Sequence, residues 1–240
     1  KGNPAHRRLA RAHGAALRDR TRVTGLRDAG GGDLEVETET GTFRTGRLVI
    51  AADAWTNHLL ASFGRRLPLQ VTREQVTYFA CPDPAAFGPD RFPVWIWMDD
   101  PSFYGFPTYG EAGPKAAQDC GGRPVDPDRR TFERDEAAFE RVTGFLERHL
   151  PGAVGPPIYT KTCLYTLTPE RDFVVDRLPD QPGVVVALGA GHGFKFASVL
   201  GRITAELATA GATPSAPEIE AFRIDRPILL ETAPATSWMV

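Results

Sequence analysis

Hydrophobic and polar residues alternate through the middle of the chain. The alternating runs 67–81, 92–99 and 102–110 are rich in aromatic side chains, and this period of two favours antiparallel β-strands. The segment 135–150 instead repeats apolar residues every three or four positions, as an amphipathic helix does. Its predicted apolar face consists of Ala138, Phe139, Val142, Phe145, Leu146 and Leu150. The middle of the chain is therefore predicted to be an antiparallel sheet interrupted by one helix.

The first part of the chain begins with a predicted helix. Asn3 can cap this helix, Pro4 suits its first turn, and Gly14 can end it. Glycine-containing turns separate the segments that follow, which is typical of antiparallel connections. The strands predicted here are 20–26, 33–39 and 41–52.

A strand, a tight turn and a helix follow one another at two places. The first place is 47–64, where Trp55 is predicted to start the helix. The second is 183–211, where Gly211 ends the helix. The apolar stripe of this second helix is predicted to be Phe196, Val199, Leu200, Ile203 and Leu207. We predict a tail after Pro227, and therefore α/β ends around an antiparallel middle.

Composition narrows the class of protein. The chain has 240 residues, of which 42% are hydrophobic, enough for one large domain or two modest ones. The 28 basic and 30 acidic residues give a formal net charge of −2, which does not favour binding to nucleic acid or to an anionic membrane. The sequence has no apolar run of membrane-spanning length and no signal-peptide core, so we expect a cytoplasmic protein. Three cysteines and five scattered histidines favour neither a disulfide framework nor a metal site.

A glycine-rich turn, LGAGHGFKF, lies between a predicted strand and a predicted helix. Gly189, Gly191 and Gly193 could direct backbone N–H groups at a ligand, although a dinucleotide fingerprint would need glycine where Phe194 stands. Lys195 follows in the predicted first helical turn, where a cation opposes the helix dipole and an anionic ligand would offset that cost. The alternatives are a purely structural turn, and an exposed lysine that packs its stem on Phe194.

Two further groups of residues are candidates for chemistry. Tyr104, Tyr109 and Lys115 lie in an aromatic region punctuated by glycine, where a lysine can be partly desolvated. Cys163 lies close to Tyr165 and a polar loop, without the aliphatic neighbours of a buried structural thiol. A solvent-facing lysine and an ordinary free thiol are the alternative interpretations.

The order of these motifs resembles that of a known family. The stretches 161–176, 184–208 and 224–229 resemble the monomeric sarcosine oxidase and N-methyltryptophan oxidase family of flavin-dependent amine oxidases. The likeness extends to 104–128 and to 47–60, and so covers nearly the whole chain.

The resemblance implies a fold and an activity. The fold would be α+β (α/β), with residues 1–64 and 158–240 in part of a Rossmann-like FAD-binding domain. Residues 65–157 would form an antiparallel-sheet substrate domain. The activity would be FAD-dependent oxidation of a secondary amine or N-methyl amino acid, with hydride transfer to the flavin and reduction of O₂ to H₂O₂.

The resemblance also assigns roles to individual residues. Cys163 matches the cysteine that binds FAD covalently, as a thioether to the methyl carbon at the flavin 8 position. Lys115 matches the lysine that promotes O₂ reduction, Lys195 the lysine that binds the substrate carboxylate, and His192 a residue of the same pocket. The tyrosines matched near the substrate are Tyr104 and Tyr165. The other implied cofactor-binding positions are Val23, Trp55, Gly189, Gly191, Gly193, Phe194 and again Lys195.

The sequence departs from the family in two ways. It contains no G-x-G-x-x-G unit for the FAD pyrophosphate, and it starts at what would be the middle of the FAD domain. We therefore expect that a separate chain or segment carries that unit; a truncated member acting as a binding or assembly module is the alternative function. An NAD-linked dehydrogenase that uses the glycine-rich turn is a third, weaker alternative, because the fingerprint is broken.

The second departure is Asp119, which stands where the family has histidine. A carboxylate here is expected to reduce the tendency of Lys115 to lose its proton, and to repel an anionic substrate. A cationic or neutral secondary amine is therefore an alternative to sarcosine.

Overall fold

The computed structural model describes residues 2–237 of the chain. In chain order, its helices and strands are α1 (Gly2–Ala12), β1 (Val23–Gly30), β2 (Asp33–Thr38), β3 (Gly41–Thr45), β4 (Leu48–Ile50), α2 (Thr56–Leu60), β5 (Gln70–Phe79), β6 (Trp95–Trp97), β7 (Phe103–Phe106), β8 (Lys115–Gln118), β9 (Arg123–Pro124), α3 (Glu136–His149), β10 (Pro157–Leu167), β11 (Val174–Leu178), β12 (Gln181–Leu188), α4 (Ala197–Ala210) and α5 (Pro227–Leu230). Short 3₁₀ turns lie at Asp53–Trp55, Ala61–Phe63, Pro151–Ala153, Gly193–Phe196 and Glu220–Phe222.

The described strands form three sheets. The first is the antiparallel meander β1-β2-β3. The second has the order β10-β5-β8-β7-β6, with β9 also paired to β5, and all its pairs are antiparallel. The third has the order β11-β12-β4, in which β12 runs parallel to β4. The predicted mixture of helix and antiparallel sheet is confirmed.

Helix α3 covers one face of the six-stranded sheet. Asp135 caps the helix by accepting a hydrogen bond of 3.0 Å from the Ala138 backbone N–H, which satisfies a donor that the first turn leaves unpaired. The apolar face of the helix buries Val142 and Leu146. The sheet residues in the same hydrophobic cluster are Phe79, Phe103 and Ala116. The amphipathic helix predicted from the apolar spacing is therefore confirmed, and it leaves the opposite face of the sheet for other contacts.

The longest strand pairing joins β10 to β5. Cys163 lies opposite Glu74 and Tyr165 lies opposite Thr72. Residues that face each other across an antiparallel pair point to the same side of the sheet. This pairing joins 65–157 to 158–240, and the proposed division of the chain into those parts stays a prediction.

The ends of the chain form two further hydrophobic clusters around β11 and β12. Helix α4 packs its Ile203 and Leu207 against one side of this sheet. Phe196 and Val199, which the predicted stripe includes, are exposed instead. The helix proper begins only at Ala197, after a 3₁₀ turn, so the angular positions of the first residues differ from those of a continuous α-helix.

Three local predictions need correction. The segment 41–52 is not one strand, because β3 pairs with β2 whereas β4 pairs with β12. The residues after Pro227 begin with α5, whose Leu229 is buried in the core, rather than with a tail. Asn3 lies inside α1 and not at its cap.

None of the helices among residues 2–237 combines the length and the apolar character needed to cross a lipid bilayer.

Candidate active site

Four of the predicted site residues share one face of the six-stranded sheet. Tyr104 on β7 pairs with Ala117, two residues from Lys115 on β8. Lys115 in turn pairs with Tyr78 on β5. Cys163 and Tyr165 on β10 pair with residues of β5 that point to the same side of the sheet as Tyr78. Because side chains alternate between faces along a strand, all four point away from α3. The pairing of the strands and the alternation of side chains along them therefore bring the four residues together, although they are up to 61 residues apart in the chain (165 − 104).

The two tyrosines form a hydrogen-bonded pair. Burial raises the pKa of Tyr104 to about 12, and the hydroxyl of Tyr165, which donates to it, opposes that change. Burial also raises the pKa of Tyr165, and the neighbouring Tyr104 raises it further. Both phenols are neutral at physiological pH and can act as hydrogen-bond groups toward a ligand.

Lys115 is a partly desolvated cation on an aromatic surface. Its Nζ lies 4.0 Å from the centroid of the Phe106 ring and 6.0 Å from that of Tyr78. Burial lowers the pKa of Lys115, and Cys163 opposes this shift. The Lys115 ammonium therefore loses its proton more readily than that of an exposed lysine does.

Asp119 is held by a buried arginine that the sequence interpretation did not single out. Arg171 is 3% exposed, and its Nη1 lies 2.7 Å from Asp119 Oδ2, with Nη2 3.5 Å from Oδ1. This pairing compensates the carboxylate charge. The pKa of Lys115 is lowered by burial, and Cys163 opposes this shift. The expected effect of Asp119 on Lys115 stays a prediction.

Cys163 is a half-buried thiol in a field of several charges. Burial raises its pKa to about 11, and the Glu74 carboxylate raises it further. Arg130 and Lys115 act in the opposite direction. At neutral pH the sulfur is therefore protonated, and it needs a proton acceptor before it can act as a nucleophile.

Glu74 is a second residue that the sequence interpretation missed. Its side chain is buried, and its Oε1 accepts a hydrogen bond of 2.5 Å from the hydroxyl of Thr72. The backbone N–H of Gly122 also donates to the carboxylate, but burial dominates and raises the pKa of Glu74. No signal in the sequence marked Glu74, because β5 carries polar residues in both phases of its alternation: Thr72 and Glu74 in one, Arg73 and Gln75 in the other.

The glycine-rich turn closes over the tyrosine pair. Gly191 has φ of +82°, and a Cβ atom there would lie 2.6 Å from the Tyr165 ring, so only glycine fits without displacement. His192, next to it, contacts the ring of Phe173, with 4.7 Å between ring centroids and an interplanar angle of 41°. Burial lowers the pKa of His192, so its ring is neutral at physiological pH. The turn therefore brings His192 into the field of Asp119 and Arg171.

Lys195 and Phe194 lie on the outer side of this turn. Lys195 belongs to the 3₁₀ turn Gly193–Phe196 and not to the first turn of the α-helix. Its exposed Nζ donates to the backbone carbonyl of His192 over 3.2 Å and lies 5.3 Å from the ring centroid of Phe196. The Phe194 side chain is also exposed. The turn itself therefore positions this ammonium group.

Val23 and Trp55 lie on one cavity of about 360 Å³. The indole N–H of Trp55 donates to Asp128 Oδ1 over 3.0 Å, and Arg22 Nη2 donates to Asp128 Oδ2 over 3.1 Å. The cavity is lined by Arg22, Val23, Ala52, Trp55, His58, Leu59 and Asp128. Its lining includes none of the four sheet-face residues, so the structure divides the predicted ligand-binding residues between two places.

Among residues 2–237, the histidines, cysteines and carboxylates form no group of three or more that could hold a metal ion.

The chain is similar to several flavin-dependent oxidoreductases. A family model described as "FAD dependent oxidoreductase" matches residues 3–207. The monomeric sarcosine oxidase of Bacillus sp. (strain NS-129) is 34% identical over 235 residues, which cover 95% of this chain and 59% of that protein. The N-methyl-L-tryptophan oxidase of Salmonella heidelberg (strain SL476) is 31% identical over 91% of this chain and 58% of its own length.

Solved structures show the same likeness. The open form of NikD, an amino acid oxidase essential for nikkomycin biosynthesis, matches with a TM-score of 0.75 and 32% identity over 90% of this chain and 57% of that one. L-proline dehydrogenase from P. horikoshii matches with a TM-score of 0.77 over 92% of this chain and 57% of its own, at 22% identity, a likeness of fold alone. The chain spans about three-fifths of the length of the curated relatives named above.

Proposed function

Because the chain belongs to the family of FAD dependent oxidoreductases, we propose that it acts in the oxidation of the C–N bond of a secondary amine or N-methyl amino acid. FAD is the proposed hydride acceptor, O₂ the final acceptor and H₂O₂ the product. The observation that carries this proposal is that Tyr104, Lys115, Cys163 and Tyr165 share one sheet face beneath the glycine-rich turn. The sarcosine and N-methyl-L-tryptophan oxidases among the relatives support the substrate class.

The residues present fit a flavin in two respects. Gly191 lets the backbone of the glycine-rich turn come up to the Tyr165 ring, where any larger residue would clash, so the turn lies against the strand that carries Cys163. Cys163 presents a half-buried sulfur close enough to Lys115 for each group to shift the pKa of the other. We propose that Cys163 holds FAD as a thioether, and that Val23, Trp55 and the turn 189–195 contribute to cofactor binding.

When bound, FAD supplies the acceptor for the hydride that leaves the substrate carbon. The Lys115 ammonium, partly removed from water, stabilises the negative charge that develops as O₂ gains electrons. A charge in such a place acts more strongly than one screened by water.

The substrate is proposed to lie beside the tyrosine pair, over the sheet face that also carries Lys115 and Cys163. The neutral hydroxyls of Tyr104 and Tyr165 orient it by hydrogen bonds, while neutral His192 excludes water from the same side. Lys195 attracts a substrate carboxylate from the outer edge of the turn. Because Arg171 compensates the charge of Asp119, a carboxylate-bearing substrate is compatible with this site.

Acid precipitation of the purified protein tests the cofactor part of this proposal. We expect a yellow pellet, because a thioether at Cys163 survives denaturation. Colour in the supernatant would mean that FAD binds without the covalent bond, and a colourless pellet and supernatant would contradict the proposed function. A panel of secondary amines and N-methyl amino acids, assayed by peroxide release, then identifies the substrate class.

A further inference from the structure

Glu74 is a buried carboxylate for which the proposed oxidation has no use. Its side chain is 4% exposed, and its two hydrogen-bond donors, the Thr72 hydroxyl and the Gly122 amide, are neutral. A carboxylate buried among neutral donors costs free energy, because hydrogen bonds replace only part of its hydration. Such a group is expected where its charge or its basicity has a function.

The sheet register places Glu74 directly opposite Cys163. Opposite residues of an antiparallel pair have Cβ atoms about 5 Å apart and point to the same face. Cys163 also responds to charged groups from other elements, namely Lys115 on β8, Asp53 in the 3₁₀ turn before α2, and Arg130 in the loop before α3. A charge on Cys163 would also raise the pKa of the neutral phenols of Tyr104 and Tyr165.

Electrostatics couple the two groups. A thiolate at Cys163 would bring a second negative charge beside the Glu74 anion in a partly dehydrated space. Transfer of the thiol proton to Glu74 keeps the total charge unchanged. Burial also makes Glu74 a stronger base than an exposed carboxylate, because it raises the pKa of this group.

We propose that Glu74 accepts the thiol proton of Cys163 when the sulfur bonds to the flavin, an inference that rests on the proposed attachment of FAD at Cys163. The S–H bond breaks and its proton passes to Glu74, while a C–S bond forms at the flavin 8-methyl carbon. That carbon loses one proton to solvent, and the flavin ring gains two electrons. O₂, the acceptor of the proposed oxidase reaction, then removes these electrons as H₂O₂ and restores the oxidised ring.

The other charged neighbours of Cys163 are less suited to this role. Lys115 in its ammonium form has no lone pair to accept a proton. Asp53 also carries a carboxylate whose pKa is raised by burial, but its influence on Cys163 is the weakest of the four charges that act on the thiol. Asp53 lies in a 3₁₀ turn with φ of +45° and not opposite the cysteine in the sheet. Asp53 therefore offers a matched carboxylate for a control.

Attachment kinetics test the proposal. Protein prepared from riboflavin-starved cells is incubated with FAD in air, precipitated with acid at intervals, and assayed for flavin in the pellet. We expect Glu74→Gln to slow attachment on the order of 100-fold, the usual contribution of a proton acceptor. Asp53→Asn, which keeps a residue type that tolerates the left-handed backbone, is expected to remain within a few-fold of wild type.

A second measurement does not depend on flavin. The rate of alkylation of Cys163 is followed against pH by peptide mass spectrometry, which separates it from Cys81 and Cys120. In Glu74→Gln the midpoint of this profile is expected to fall, because the carboxylate no longer opposes the thiolate. The variant thus has a more acidic thiol and yet slower attachment, a combination that a folding defect would not produce.

The outcomes separate this inference from the proposed function. If wild type attaches flavin and Glu74→Gln does so equally fast or faster, Glu74 only repels the thiolate, and the inference is overturned while the proposed function stands. An unchanged alkylation midpoint would also overturn it, since the two groups would not be coupled. If wild type and Cys163→Ser both give colourless pellets, the attachment at Cys163 and the inference fail together.

Discussion

At the scale of single residues, the charged groups of this site differ in how their charges are compensated. Asp119 is paired with Arg171, while burial lowers the pKa of Lys115 and Cys163 opposes that shift. Burial acts in opposite directions on the acid and the base, because it disfavours the charged form of each. Glu74 therefore binds a proton more readily than an exposed glutamate does, and Lys115 releases one more readily than an exposed lysine does.

The lowered pKa of Lys115 leads to a prediction about reoxidation. With flavin bound, Lys115→Met is expected to slow the reaction of reduced flavin with O₂ about 100-fold or more, since one preorganised charge is lost. In wild type this reaction should slow as pH rises through the pKa of Lys115, at a lower pH than for an exposed lysine, because the ammonium is then lost. Stopped-flow absorbance over a pH series measures both effects.

Lys161→Met is the matched control for this experiment. Lys161 is an exposed lysine on the same face of β10 as Cys163, and its ammonium lies 5.4 Å from the Tyr159 ring centroid. Its substitution should leave reoxidation unchanged. Equal losses in the two variants would mean that general positive charge, and not the position of Lys115, promotes the reaction.

At the scale of elements, strand alternation and turn geometry together build the site. The period-2 pattern of β5 was predicted from the sequence, whereas β10, the strand that carries Cys163 and Tyr165, was not. The glycine-rich turn was predicted to bring its backbone close to a ligand. That the first neighbour is the Tyr165 ring depends on the packing of the third sheet against the second, which local patterns do not encode.

A pair of glycine substitutions tests this close approach. Gly191→Ala is expected to lower the free energy of unfolding by about 2 kcal/mol or more, because φ of +82° is strained for alanine and its Cβ would lie 2.6 Å from the Tyr165 ring. Gly201→Ala, in the interior of α4 with open space around it, should instead raise stability by about 0.5–1 kcal/mol. Urea unfolding measures both, and equal effects would contradict the proposed packing.

Other features depended on partners far away in sequence. The segment 41–52 reads as one strand, and its division follows from two different partner strands, β2 and β12. Leu229 is buried because α5 closes the core formed by β4, β11 and β12, although its own segment resembles a tail. Glu74 lies on a strand with polar residues in both phases, and no pattern along β5 indicates that it is buried or that Cys163 is its opposite residue.

At the scale of the whole molecule, the loop between β10 and β11 is tied to distant parts of the chain. Arg171 in this loop pairs with Asp119, at the end of β8. Glu170, beside it, pairs with Arg226, whose Nη1 also donates to the Phe173 carbonyl over 2.9 Å. The loop therefore links the six-stranded sheet to the segment that leads into α5, and it fixes Phe173, whose ring His192 contacts.

The buried pair provides a prediction for the stability of the whole fold. Arg171→Met is expected to cost about 3–5 kcal/mol, because it leaves Asp119 without its compensating charge. The double variant Asp119→Leu/Arg171→Met should cost clearly less than the sum of the single changes, since no uncompensated charge remains. Chemical unfolding of wild type, the two single variants and the double variant measures this coupling. Additive costs would show that the pair acts only through packing.

The pairing of β10 with β5 also bears on how this chain tolerates insertions and deletions. Ten paired positions, from Pro157 to Leu167, connect the two strands with one irregularity near the start. Insertion of a single residue just before Cys163 that propagated along the rest of β10 would turn Cys163 and Tyr165 toward α3 and bring Leu164 and Thr166 to the ligand side. Changes of length on this strand should therefore be excluded from functional variants, whereas the exposed loop 83–92 can vary.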